Sequence, residues 1–374
     1  MRFRMVRAAR IAAIVCGLLL AMLIIGQVDA GSCFYYSPDV GVVCDGRLEP
    51  AVHQFDEPVL PEESLLDWTT YAYMEDNIDL YPEPSLASAP IYNVGEGFLY
   101  VTVQGEVTVN GQKWYEINPG EYAQAEDIRL VESPAFTGVV VNVQPERPFG
   151  WIVLEVTPSR EPDGPPDPEF EHLERYDFIQ VYDAAVGEEE WIWYDIGGSR
   201  WIRQTQASLV DLHEPPEEVG EGEFWVEIDL FEQSYAAYEG RRMVYATLIS
   251  SGLNRWPTQE GIFQVWSRYY QTQMSGAEGK VDYYFIEDVP YTMYFDRHNE
   301  IALHGAFWHN RFGFKHSHGC VNMPPRDAEW TYYWSAEAPN DLWVWVHTSD
   351  PMDYFNRFGG ATTASGNIGA LVSN

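Results

Sequence analysis

The chain predicts a mainly β, multi-module fold with one or two short helices, on three observations. Short runs alternate apolar and polar residues with the two-residue period of strands, as in Phe224-Trp225-Val226-Glu227-Ile228-Asp229-Leu230. Asn110-Gly111 stands between two strand-like runs, and this dipeptide supplies the positive φ angles of a tight hairpin turn. Proline-rich breaks at 158–168 and 214–218 interrupt the β-rich stretches where neither a helix nor a central strand could continue.

Residues 1–30 have the layout of a secretory signal. Arg2, Arg4, Arg7 and Arg10 precede an uncharged run over 11–26 and then Val28-Asp29-Ala30. The apolar run is shorter than the roughly 20 residues of a spanning helix, so cleavage after Ala30 is expected, with a retained N-terminal anchor as the alternative. In the exported segment 31–67, Cys33 and Cys44 can close a small loop by disulfide, which leaves Cys320 as the odd thiol outside the cytoplasm.

Residues 98–103, 106–109 and 112–117 around Asn110-Gly111, with Trp114, Gly120-Glu121-Tyr122 and Asp127-Ile128 following, form a small β module. Over 68–131 it resembles a bacterial SH3-like domain. A strand-containing segment and proline-rich linker fill 132–173. Trp191-Ile192-Trp193-Tyr194 and Trp201-Ile202 flank a Gly-Gly turn and suggest a second small module over 174–212. The modules read either as ligand-binding sites or as scaffold and channel wall, because aromatic residues in small β modules usually form core. A linker at 213–222 leads into the C-terminal domain at 223–350, and a small polar tail at 351–374 is expected to be flexible.

Charge narrows the partners. Lys plus Arg total 22 against 57 Asp plus Glu, a formal charge of −35. A polyanion without a basic cluster is a poor nucleic-acid ligand, and its dispersed acidity suits solubility outside the cell.

The chemistry lies between 304 and 322. A cysteine reacts as its thiolate and needs a proton acceptor beside it. Cys320 follows Gly319, whose missing β-carbon permits a strained turn, and lies two residues from His318. His304 needs the fold to bring it across. The segment Ser317-His318-Gly319-Cys320-Val321-Asn322, preceded by Leu303-His304-Gly305-Ala306, resembles the signature of the L,D-transpeptidase family. Upstream, 224–230, Gln233, a turn at Glu239-Gly240 and a second strand over 243–247 look like the hairpin that opens this domain. Ser251-Gly252, Trp256-Pro257-Thr258 and Gly261-Ile262-Phe263 extend the likeness, with Pro257-Thr258 in reversed order. Pro324-Pro325 before Asp327 reads as a helix start, and 342–346 as a closing strand.

The resemblance implies a β-sandwich or barrel and an attack by Cys320 on the bond between the third residue of a peptidoglycan stem peptide, a diamino acid, and its terminal D-alanine. It assigns His304 as base, the Gly305 carbonyl as orienter of that ring, and amides around Gly319 and Cys320 with His318 as oxyanion donors. Ser317 and Asn322 then hold the loop. No cofactor or metal is implied, and carbapenem-type compounds are expected to acylate the thiol. The acceptor is left open between a side-chain amine, which gives a cross-link, and water, which gives an L,D-carboxypeptidase. Two other classes compete: a non-catalytic wall-binding protein, and a zinc site on His304, His316, His318 and Cys320, which has suitable ligand types but no paired Cys-x-x-Cys or His-Glu-x-x-His spacing. His309 and His316 read as exposed loop residues, and Met274 and Tyr291 as packing.

Overall fold

Alternating apolar residues build two large β-sheets with a core between them. The computed structural model describes residues 33–37, 41–44, 47–49, 53–59, 63–277, 279–350 and 352, with backbone alone over 33–49. Residues 1–30, where a signal is expected, and, except for residue 352, the expected tail at 351–374 lie outside the described residues. Among the described residues no helix is long and apolar enough to cross a membrane.

The chain divides into two units, 1–54 and 55–374. In the first, strands Cys33–Ser37, Gly41–Cys44 and Arg47–Glu49 form an antiparallel sheet. Cys33 stands directly opposite Cys44 in its register, while the side-chain pairing expected of them lies outside what is described.

In the second unit, one seven-stranded sheet runs in the order Ile128–Val131, Tyr71–Met74, Phe98–Thr102, Tyr284–Asp296, Ile301–Gly305, Val321–Met323, with Ser267–Gly276 paired to Tyr284–Asp296 as a long flap. The other orders Gly261–Gln264, Trp343–His347, Phe224–Asp229, Ser234–Glu239, Arg242–Leu248, Val139–Val141, Phe55–Asp56. Val226, Ile228, Tyr235 and Val344 of this sheet pack with Met293, Leu303 and Val321 of its partner, and the helix Pro325–Trp334 adds Ala328. That helix begins at the proline expected to start it, where a missing amide costs no intrahelical bond.

The strand Phe224–Asp229 reads as half-buried from its alternation, yet both of its faces are covered. Trp225 faces a second core made with Phe149, Trp151 and Val210 from upstream. Glu227 goes in on that side too, held by Tyr238 Oη at 3.0 Å, His213 Nδ1 at 2.8 Å and His347 Nε2 at 2.7 Å. Burial alone would raise its carboxyl; the two imidazoles outweigh that and bring it to about 2. The hairpin expected between 224–230 and 243–247 is a three-strand meander. Ser234–Glu239 intervenes, and its Tyr-Ala-Ala-Tyr run escapes an alternation test because both faces are apolar.

The Asn110-Gly111 turn joins Gly105–Val109 to Gln112–Asn118 with φ of 53° and 84°, as the dipeptide requires. Strands Tyr71–Met74, Phe98–Thr102 and Ile128–Val131 of the 68–131 stretch belong to the flap's own sheet. Ile192–Asp195 pairs with Trp201–Arg203 across the Gly197-Gly198 turn, while Phe149–Ile152 pairs with Phe178–Gln180 and Ala207–Val210. The proline-rich stretch is an ordered loop, tied down where Ser159 and Trp201 exchange backbone bonds at 2.9 and 2.8 Å.

Candidate active site

Parallel pairing between Ile301–Gly305 and Val321–Met323 sets His304 opposite Asn322, and by the same register Ala302 opposite Cys320. Side chains alternate along a strand, so Cys320, in the bend just before Val321–Met323 and two residues from Asn322, continues on the side of the sheet where His304 lies. Ala302 N–H donates to the Cys320 sulfur. His304 and Cys320 line a cavity of about 370 Å³.

His304 is buried, and its Nδ1 lies 3.2 Å from the Gly305 carbonyl oxygen. A carbonyl can only accept, so the neutral ring carries its proton on Nδ1 and leaves Nε2 as a lone-pair acceptor. Burial pulls the imidazole down to about 4 and pushes the Cys320 thiol up to about 11. The resting pair is therefore neutral: thiol beside imidazole.

Gly319 has φ of +124°, a region that an L side chain rarely adopts, and this turn presents Cys320. The loop is fastened from several sides. Ser317 Oγ donates to the Cys320 carbonyl and accepts from Gly319 N–H at 3.1 Å. Thr258 Oγ1 donates to the Gly319 carbonyl at 2.7 Å and accepts from Gly252 N–H at 2.9 Å. Leu253 N–H donates to the Ser317 carbonyl at 2.9 Å. The Gly319 amide, expected as an oxyanion donor, is thus spent on Ser317.

Asn322 is buried and exchanges backbone bonds with Ser250, each at 2.9 Å. Its side-chain amide lies 2.9 Å from His309 Nε2, while His309 Nδ1 accepts from Arg311 N–H at 3.1 Å. His309 and His316 are half-buried with rings 4.4 Å apart, which corrects the expectation of exposed loop residues. Loop position alone hid this, because the His309 ring is covered by Phe312, His316 and Asn322, contacts that only the folded loop makes.

His318 is exposed at one edge and lies between Trp256, 3.9 Å away, and Tyr284, 5.0 Å away, at the cavity wall. Tyr291 is fully buried and donates to Glu329 at 2.7 Å, a packing role, whereas Met274 lines the cavity. The ligand atoms of His304, His316, His318 and Cys320 do not gather within 4.8 Å of one another, which removes the geometric basis of a zinc site there; the one such group among the described residues is exposed Glu155, His172 and Glu174.

Several residues outside the expected set complete the site. Thr258 and Gly252 brace the thiol loop, and Trp308 lies 5.7 Å from the His304 ring. Phe98 reaches the cavity from upstream, where its strand pairs in parallel with the flap, Phe98 N–H donating to the Tyr283 carbonyl at 3.0 Å. A pairing across 186 residues leaves no local mark in the sequence.

A thiol and an imidazole lining one cavity beside a flap define a class of site suited to acyl transfer through cysteine. Residues 223–351 match the family model of the YkuD L,D-transpeptidase catalytic domain. YciB of Bacillus subtilis (strain 168), assigned as an L,D-transpeptidase, is 25% identical over 148 residues, covering 35% of this chain and 73% of its own. The crystal structure of an Enterococcus faecium L,D-transpeptidase mutant is 26% identical, with a TM-score of 0.30, over 34% of this chain and half of that one. The Mycobacterium smegmatis L,D-transpeptidase is 17% identical, with a TM-score of 0.31, over 49% of this chain and 76% of its own.

Proposed function

We propose that the protein is an L,D-transpeptidase that acts on peptidoglycan stem peptides through a thioester on Cys320. The observation that carries this is that Cys320, at the start of the strand beside that of His304, lines one cavity with it, with His304 Nδ1 turned to Gly305 and Nε2 left to accept. His304 takes the thiol proton as sulfur bonds to the carbonyl carbon of the scissile amide. The tetrahedral oxyanion is met by the Cys320 amide with His318, since the Gly319 amide is engaged. Collapse breaks the C–N bond, His304 returns the proton to the leaving nitrogen, and D-alanine departs. An acceptor amine then attacks the thioester and loses its proton to His304, and the thiolate leaves and is reprotonated, giving a cross-link.

The resting neutral pair fits a nucleophile that forms only when substrate fills the cavity. Water in place of the amine gives a carboxypeptidase through the same steps. Both reactions need stem peptides, which agrees with an extracytoplasmic location and with cleavage of residues 1–30. The upstream strands then serve as cavity wall, through Phe98, with binding of wall polymer a second role for the same modules.

Defined tetrapeptide stems incubated with the full chain test this, read by mass. Cross-linked dimers indicate transpeptidation and tripeptides carboxypeptidation, each lost in Cys320→Ala. A carbapenem should add once, at Cys320. A wild-type protein that yields neither product nor adduct refutes the reading.

A further inference from the structure

The cavity above Cys320 holds one Lys or Arg among its described lining residues, Arg255, in a chain of formal charge −35. Its guanidinium carbon lies 3.8 Å from the Trp256 ring centre, and Nη2 sits 3.3 Å from Asp282 Oδ1 at the flap tip. The side chain is 59% exposed, so the ion pair with Asp282 is open to exchange with an incoming anion. Stacking on the indole fixes the plane of the fork and leaves its edge N–H groups for a carboxylate.

The segment that carries Arg255 is also tied to the nucleophile's loop. Leu253 bonds Ser317, Thr258 bonds the Gly319 carbonyl, and Trp256 lies 3.9 Å from His318. The guanidinium is thereby held in a set relation to the thiol.

We propose that Arg255 is a specificity-determining residue that binds a carboxylate of the acyl donor, with Asp282 occupying the guanidinium until the donor displaces it. This rests on the transpeptidase reading. An anionic peptide approaching a polyanion is repelled at long range, and a cation inside the cleft supplies the local attraction that reverses this. A paired fork also orients the peptide, which a mobile lysine would do less well. Two groups of a stem offer this chemistry: the C-terminal carboxylate of the leaving residue and a free carboxylate within the stem.

The test uses the full chain and three donors: the free-acid tetrapeptide, its C-terminal carboxamide, and a peptide amidated at the interior carboxylate. Release of the terminal residue is followed for wild type, Arg255→Gln, Arg255→Lys, Asp282→Asn and the Arg255→Gln/Asp282→Asn pair. Arg255→Gln should lower kcat/KM for the free acid about 10- to 100-fold, mainly through KM. On the donor that lacks the recognised carboxylate the same substitution should change it less than about threefold, and that donor identifies the source. Arg255→Lys should fall between. Asp282→Asn should raise kcat/KM for the free acid, and the gain should vanish in the double variant. Equal losses on all three donors, or a gain from Asp282→Asn that survives without Arg255, overturn the assignment. Alkylation of Cys320 at the wild-type rate confirms that the variants are folded. Wild type that releases product from none of the donors overturns the transpeptidase reading itself, and Arg255's role with it.

Discussion

The thiol of Cys320 should be sluggish in the free protein, in contrast to a cysteine held as an ion pair. Burial raises it from 9.0 to about 11, and burial also lowers His304 to about 4, so neither partner ionises the other at rest. The shift lowers the thiolate fraction at neutral pH about 100-fold. A more basic thiolate is intrinsically more nucleophilic, which with a Brønsted slope of about 0.4–0.5 returns slightly less than a factor of 10. The net expectation is alkylation about tenfold slower than for an unperturbed cysteine. Iodoacetamide modification, followed by mass at the Cys320 peptide from pH 6 to 11, measures this directly. The logarithm of the rate should climb with unit slope to beyond pH 10. A plateau reached below pH 8 would show a standing thiolate–imidazolium pair, and would sink the argument that substrate must fill the cavity before the proton moves.

Three other perturbations follow from named contacts. Thr258→Val keeps the shape but strips Gly252 N–H and the Gly319 carbonyl of their buried partner; about 2–4 kcal/mol of stability should go, with acylation of Cys320 by a carbapenem slowed, measured by denaturant melts and mass. Gly97→Val places a β-carbon 2.7 Å from Tyr283 Cδ1, so the flap tip must move, raising KM for the donor peptide while iodoacetamide labelling of Cys320 persists. Burial raises Asp327 to about 7 against the hydrogen bonds of Thr247, Tyr245 and Gly138. A carboxyl raised in the folded state adds stability that is full below its unfolded value of 3.8 and lost as pH passes 7, so the melting temperature of wild type relative to Asp327→Asn should fall between pH 4 and 8, with a ceiling of about 4 kcal/mol.

What could be read without the fold was mostly local. Residues 303–306 and 317–322 carried the family likeness, because the signature is read from residue identities within two short segments. The Asn110-Gly111 turn and the helix beginning at Pro325 were equally legible, since a φ sign and a missing amide are properties of single residues. Strand Ser234–Glu239 was not: once both faces of a strand are covered, its pattern has no period. Nor was the role of His309, which is fixed by Asn322 across a turn.

The sequence by itself determined the nucleophile candidate, the Asn110-Gly111 turn and the strongly acidic formal charge, all of which depend on residue identity and short spacing. Only the tertiary structure decided that His304 and Cys320 line one cavity, through a parallel register between strands that are not joined by a tight turn. It also set Phe98 and Arg255 at the cavity, and turned the flap's edge into a continuation of upstream strands. Those outcomes depend on hydrogen bonds between residues far apart in the chain, and on burial, which shifts a thiol and an imidazole in opposite directions.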